Sequence, residues 1–152
     1  MAITSAICSS FKQELLQGKH SLDTSGNGGD TFKLALFTSS ASLGAATTVY
    51  STSNEVTNTS GSAYSAGGAA LTNTGVGLTS TTAFTDFSDI SWTSASFTAN
   101  GCLIYNTTTA GGSGTVQAVC AIAFGGDKTV SSGTFTIQFP TNDSSSAIIR
   151  LT

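Results

Sequence analysis

Apolar and polar residues alternate along most of the chain with the two-residue period that is typical of β-strands. The alternation is clearest in residues 32–37 and 135–139, where large apolar side chains occupy every second position. The same pattern predicts further strands near residues 47–51, 69–74, 91–97, 102–105, 116–124 and 147–151. Apolar residues occupy both faces of the 116–124 strand, so we expect it to be covered on both sides.

Clusters of Gly, Asn and Ser separate these segments and predict turns between them. About eight short strands joined by such turns are typical of sandwiches and jelly rolls. We therefore expect an all-β fold, an antiparallel two-sheet sandwich or jelly roll, with a short helix at its N-terminus.

The N-terminal segment has a different period, in which one apolar residue recurs every four positions: Ile3, Ile7, Phe11 and Leu15. This stripe predicts a short helix over about residues 4–18, ended by Gly18. We divide the chain into an N-terminal helix and loop, residues 1–29, and a β-sandwich domain, residues 30–152. The stripe needs an apolar partner, so its four residues either anchor the chain on another protein or cover one end of their own sandwich.

The composition excludes several classes of protein. Only 9% of the residues are charged, and Ser and Thr together make up about a third of the chain. A net charge of −3 with five Lys and Arg leaves too few cations to neutralise a phosphate backbone, so we expect no nucleic-acid partner. No apolar stretch approaches the roughly 18 residues that span a bilayer, and no basic and apolar leader is present, so we expect no membrane partner and no secretory signal.

The sequence offers few groups for catalysis. His20 is the single histidine, and its position beside Lys19 at the predicted helix end indicates a solvated cation. Asp86 and Asp89 are the nearest pair of carboxylates, the arrangement that a glycosidase would need. Isolated acidic residues in Ser- and Gly-rich segments are more typical of turns, where their oxygens accept backbone hydrogen bonds. We therefore expect no enzyme, no catalytic residue and no cofactor.

A metal site is also not expected. Residues 23–28 resemble the start of a calcium loop, but its twelfth position holds Leu34 in place of the bidentate acid, so the segment is not an EF-hand. Cys8, Cys102 and Cys120 lack the paired spacing of zinc ligands. The second and third fall in predicted strands as small buried residues, whereas Cys8 lies off the apolar stripe and could join two subunits through a disulfide. Residues 111–114 are predicted to form a hairpin turn.

Several segments resemble, in order, a family of small virion structural proteins of tailed bacteriophages. They are Asp30–Thr38, Tyr64–Gly68, Trp92 with Phe97–Gly101 and Leu103–Asn106, Phe124–Lys128, Gly133–Pro140 and Ala147–Arg150. The similarity covers about residues 30–152, and residues 1–29 and the three cysteines lie outside it.

The resemblance implies a capsid decoration or cement protein, commonly trimeric, on the outer capsid surface of the virion after synthesis in the host cytoplasm. The implied partners are the major capsid protein and copies of the chain itself in a homotrimer. Two other functions remain open at this point. One is a tail-tip or fibre module that binds a host glycan on an exposed aromatic residue, for which Tyr50, Tyr64 and Trp92 are candidates. The other is a hydrolase of envelope polysaccharide that uses Asp86 and Asp89.

Overall fold

The computed structural model describes residues 2–25, 28–58, 63–108 and 116–152. Within these residues the helix and strands are β1 (Ala6–Ile7), α1 (Ser9–Leu16), β2 (Phe32–Phe37), β3 (Ala69–Leu71), β4 (Asn73–Thr79), β5 (Thr82–Phe87), β6 (Ile90–Asn106), β7 (Gln117–Ile137) and β8 (Ile149–Leu151). The predicted hairpin turn at residues 111–114 lies outside the described residues.

The strands form two antiparallel sheets, which confirms the all-β fold with a short N-terminal helix. The larger sheet has the order β1-β7-β6-β2-β3, and the smaller has the order β4-β5-β8. Phe32 of β2 and Phe87 of β5 join the sheets through rings 5.7 Å apart, and Phe139 lies 5.9 Å from Phe87. Aromatic rings therefore supply part of the core between the two sheets.

The core is densest where β2, β6 and β7 lie side by side. Its largest fully buried aliphatic side chains are Leu34, Leu36, Leu103, Ile104 and Val119. Residues 117–121 are buried without alternation, as expected for a strand that is covered on both faces. The prediction for the 116–124 segment is thus confirmed over its first half.

The two central strands are longer than the sequence indicated. The predicted strands 91–97 and 102–105 are both parts of β6, which has 17 residues, and β7 has 21 residues. The glycines taken as turns lie instead in a bulge. Between the pairs Ala99–Lys128 and Gly101–Ala123, one residue of β6 faces four of β7. Two of those four are glycines with φ of +73° and +143°, which let the strand continue past the extra residues.

The N-terminal helix is shorter than predicted. It spans Ser9–Leu16 only, because Ala6 and Ile7 form β1 and pair with β7. Isoleucine suits a strand, and here the pairing with the sheet overrides the four-residue periodicity. The end of the helix is as expected. Gly18 has φ of +69° and its N–H donates to the Leu15 carbonyl oxygen at 3.1 Å.

Two other predictions need correction, and one strand was missed. Residues 47–51 contribute an isolated bridge between Val49 and Gln117 in place of a strand. The predicted strand 69–74 is divided into β3 and the longer β4. The sequence also failed to indicate β5, since its apolar residues do not alternate cleanly with polar ones.

Candidate interaction surfaces

The stripe Ile3, Ile7, Phe11 and Leu15 packs against the chain's own sandwich. Ile3 and Phe11 are buried in the core, and Ile7 and Leu15 are half-buried against it. Ile3 bridges to Leu43, and Ile7 pairs with Cys120 of β7. The four residues are therefore brought into one region, but as part of the core and not as an exposed stripe.

His20 is buried, so the prediction of a solvated cation was wrong. Its ring lies 4.8 Å from that of Phe11, and its Nε2 is 2.8 Å from Oε2 of Glu14. The amide nitrogen of Asn106 donates to Nδ1 at 2.9 Å and to a carboxylate oxygen of Asp30 at 2.6 Å. Since Nδ1 accepts, Nε2 carries the proton that is donated to Glu14. This chain of hydrogen bonds fixes the segment after α1 to the end of β6.

Glu55 is a buried carboxylate that the sequence did not single out. It accepts hydrogen bonds from the Tyr50 hydroxyl at 2.6 Å, the Tyr64 hydroxyl at 2.7 Å and the Gly67 N–H at 2.7 Å. The Tyr64 oxygen in turn accepts the N–H of Leu36 at 2.8 Å. Two effects raise the pKa of both tyrosines well above the usual value. Burial has the larger effect, and the hydrogen bond to Glu55 has the smaller one.

The third tyrosine of the chain completes this cluster. Tyr105 stacks on Tyr50 with ring centroids 4.3 Å apart, and its hydroxyl donates to the Gly67 carbonyl oxygen at 2.6 Å. Burial, with a smaller effect of Glu55, raises the pKa of Tyr105 to about 12. Only Tyr105 lies in a strand, and the loops that carry Tyr50, Glu55 and Tyr64 fold onto it from distant parts of the chain, so no local pattern could have predicted this cluster.

The candidate catalytic acids serve the backbone. Asp86 is fully buried and accepts the N–H groups of Phe87 at 2.8 Å and Ile148 at 3.1 Å. Asp89 accepts the N–H of Phe139 at 2.8 Å. Burial raises the pKa of Asp86 above its usual value, against the opposing effect of the two N–H donors. The interpretation of these residues as backbone acceptors is confirmed.

All three cysteines are buried and unpaired. Burial raises the pKa of Cys8 to about 11, and it also raises the pKa values of Cys102 and Cys120. The prediction for Cys102 and Cys120 is confirmed. Cys8 lies off the stripe but is fully buried, so its sulfur is not available for the disulfide to a second subunit that we considered.

The proposed glycan platform is not exposed either. Tyr64 and Trp92 are buried, with rings 5.6 Å apart, and Tyr50 is half-buried under Tyr105. Within the segment that resembles a calcium loop, Asp23 accepts hydrogen bonds from the N–H and the hydroxyl of Ser25. Residues 26 and 27 lie outside the described residues.

Across the described ranges, no set of three His, Cys, Asp or Glu side chains is arranged to hold a metal ion. The helix found in those ranges is neither long nor apolar enough to cross a membrane.

One apolar surface lies at the end of the smaller sheet. Val76 and Leu78 of β4 are 59% and 71% exposed, and Leu151 of β8 is 51% exposed. Leu78 pairs with Ala83, which pairs with Leu151, so these side chains form a row on one face. We call these four residues, Val76, Leu78, Ala83 and Leu151, the apolar tip.

A second apolar surface is concave and follows β7. It is a cavity of about 460 Å³ whose apolar lining side chains are all half-buried: Ile122, Phe124, Phe135, Ile137, Phe139 and Ile148. A smaller cavity of about 280 Å³ shares Ile122 and Ile148 with it and extends to Ile7. We call this continuous surface the β7 groove. Lys128 lines the groove with an exposed side chain.

The strand edge beside the groove is only partly covered. β1 flanks β7 on this side, and its pairing ends at Ala121. The next N–H, that of Ala123, donates to the hydroxyl oxygen of Ser5 at 2.9 Å. The apolar tip and the β7 groove are thus two apolar surfaces that share no residue.

Comparison of the chain with protein-family models, with curated proteins and with solved structures finds no match.

Proposed function

We propose that this chain is a capsid decoration protein of a tailed bacteriophage. It binds the outer surface of the shell, where it contacts the major capsid protein and other copies of itself. Its work is mechanical, since it stabilises the shell against internal pressure without making or breaking a covalent bond. Residues 30–152, which resemble the family of small virion structural proteins, carry this function.

The segments that resemble that family contact one another in the fold. Tyr64, from the second segment, receives the N–H of Leu36, from the first. Tyr105, from the third, donates to the carbonyl oxygen of Gly67 in the second. These contacts join three of the segments within one domain, which supports the proposal that the segments act together.

The observation that carries the proposal is the exposed apolar tip, two of whose residues, Val76 and Leu78, lie on the edge strand β4, which has no charged residue. No charged residue occurs from Val56 to Thr85, a stretch that includes β3, β4 and most of β5. Natural sheets usually protect such an edge with Lys or Pro, because an open edge pairs with other chains. On β4 the irregularity between Asn73 and Val76 and the Asn142 side chain protect only the start of the strand, and residues 76–79 have neither Lys nor Pro, which suits a protein whose role is to adhere to neighbours.

The low charge of the whole chain favours dense packing on a shell. A net charge of −3 on 152 residues causes little repulsion between adjacent copies. Each apolar contact contributes about 25 cal/mol per Å² of surface removed from water. Many small contacts of this kind, repeated over a shell, would raise the free energy that is needed to open it.

Purified virions test the proposal through copy number and location. We expect the chain at a number of copies comparable to that of the major capsid protein, and its density on the outer shell in a map of the intact particle. Particles that lack it should release their genome at a lower temperature. A few copies at the tail would favour the glycan-binding module, and absence from the particle would contradict both. Turnover of a polysaccharide by the purified protein would contradict the mechanical role.

A further inference from the structure

We propose that copies of this chain bind one another head to tail, with the apolar tip of one copy seated in the β7 groove of the next. This inference deepens the proposed function, on which it rests for its setting, by assigning the surfaces that join sister copies. The contact itself is a property of the isolated protein and can be measured without a virus particle.

The groove fits an extended strand with apolar residues at alternate positions. Its six apolar side chains are half-buried, so they gain contacts only when another group enters. β4 presents Val76 and Leu78 on one face, two positions apart, which in a strand means about 7 Å between side chains. Both are more than half exposed in the single chain. The tip therefore presents exposed apolar side chains at alternate positions of a strand, which is the chemistry that the apolar groove can accept.

The two strand edges can also pair through their backbones. β4 is the outermost strand of the smaller sheet, and β7 is flanked only as far as Ala121 by the two-residue β1. Adding an extended segment to such an edge is a common mode of protein recognition, in which main-chain hydrogen bonds supply affinity and alternate side chains fill pockets. Seating β4 along β7 would satisfy both requirements in one contact.

Charge favours a second copy as the occupant. Val76, Leu78 and Ala83 lie within the charge-free stretch from Val56 to Thr85, whereas Leu151 follows the exposed Arg150. The part of the tip on β4 and β5 therefore brings no ion into the apolar groove, where an unpaired charge would be costly. Lys128 is exposed at the groove, so its ammonium can keep its contact with water.

The contact is heterologous, because the tip and the groove are different surfaces. Repetition of such a contact gives a closed ring or an open filament, depending on the rotation between copies. A ring uses every tip and every groove, so it leaves neither apolar surface exposed. We therefore expect a small closed ring.

The first experiment measures mass against concentration by sedimentation velocity. The wild-type chain should form a discrete species heavier than the 15.2 kDa monomer. Two variants test the two surfaces. The tip variant is Leu78→Glu, and the groove variant carries both Thr136→Glu and Gln138→Glu at exposed positions. Each variant should associate about 100-fold more weakly than the wild type. Leu16→Glu is the matched control, since Leu16 is 92% exposed on α1 and belongs to neither surface. It should leave the mass unchanged.

The decisive experiment mixes the tip variant with the groove variant. At a concentration where each variant alone is monomeric, the tip variant retains an intact groove and the groove variant retains an intact tip. The mixture should therefore form a one-to-one dimer that does not grow further. Circular dichroism and thermal unfolding of each variant establish that it is folded.

Three results would overturn the inference: a wild-type chain that is monomeric at every concentration, a mixture that stays monomeric, or a control that dissociates like the tip variant. None of them would change the copy number of the chain in virions. The failure of this contact and the failure of the decoration role are thus distinguishable.

Discussion

Replacing Glu55 with alanine should lower the free energy of unfolding by about 3–5 kcal/mol. The carboxylate accepts three hydrogen bonds, and two of their donors, the Tyr64 hydroxyl and the Gly67 N–H, belong to buried residues. A hydrogen bond to a charged group contributes about 1.5–3 kcal/mol, so two such bonds account for the expected loss. The half-buried Tyr50 adds little, because its hydroxyl can turn to water.

Two further variants separate the hydrogen bonds from general damage to the site. Glu55→Gln keeps the size of the side chain and one acceptor oxygen, so we expect a smaller loss of about 1–2 kcal/mol. Tyr64→Phe removes one donor to Glu55 and leaves the Leu36 N–H without its acceptor. The double variant Glu55→Ala with Tyr64→Phe should be less destabilised than the sum of the two, with a coupling of about 1–2 kcal/mol.

Urea unfolding followed by tryptophan fluorescence is a suitable assay. The single Trp92 is buried 5.6 Å from the ring of Tyr64, so its emission reports the loss of this region of the core. Equal slopes against urea for all variants would establish that only stability has changed. The prediction is contradicted if the free energy of unfolding of Glu55→Ala lies within about 1 kcal/mol of that of the wild type, or if the coupling energy between Glu55 and Tyr64 is zero.

Four other outcomes follow from the same structure. Gly68→Ala should prevent folding or severely destabilise the folded state, because φ is +69° and the new Cβ would overlap the Leu34 carbonyl oxygen. The control Gly44→Ala should hardly change the free energy of unfolding in urea, because no atom lies closer than 3.7 Å to its new Cβ. Phe11→Ala should cost about 3–5 kcal/mol by the same measurement, since the ring is buried in the core. The three thiols should resist alkylation at pH 8 in the folded protein and react fully in urea, because burial keeps them out of reach and raises their pKa values. Burial in the folded protein raises the pKa of Asp86 above 3.8, so the folded chain binds this proton at a higher pH than the unfolded chain does. The stability of the wild type relative to Asp86→Asn should therefore rise as the pH falls through the folded pKa, and become constant below about pH 3.8.

The local pattern predicted those elements that local sequence determines. Residues 32–37 place Phe32, Leu34 and Leu36 on one face and form β2 with the predicted bounds. The end of α1 at Gly18 follows from the left-handed backbone that glycine allows. The start of that helix did not follow, because Ala6 and Ile7 respond to a partner strand more than a hundred residues away in the sequence.

The surroundings of the buried polar residues and of Cys8 are determined by long-range contacts. His20 and Cys8 were expected at the surface, yet both are covered by other elements of the fold. Glu55 gains its role from Tyr50, Tyr64 and Gly67, which the folded chain brings to it. The apolar tip also has no local signature, because exposure of Val76 and Leu78 depends on where the smaller sheet ends.

The bulged hairpin of β6 and β7 determines how the molecule would carry a load. Its ladder bonds lie across the strands, so tension applied along the strands must break them together, whereas tension applied at one end can open them one after another. A decoration protein whose hairpin lies parallel to the tension in the shell would resist stretching, because its ladder hydrogen bonds must break together. The same protein turned through a right angle would resist less, because those bonds would break one after another.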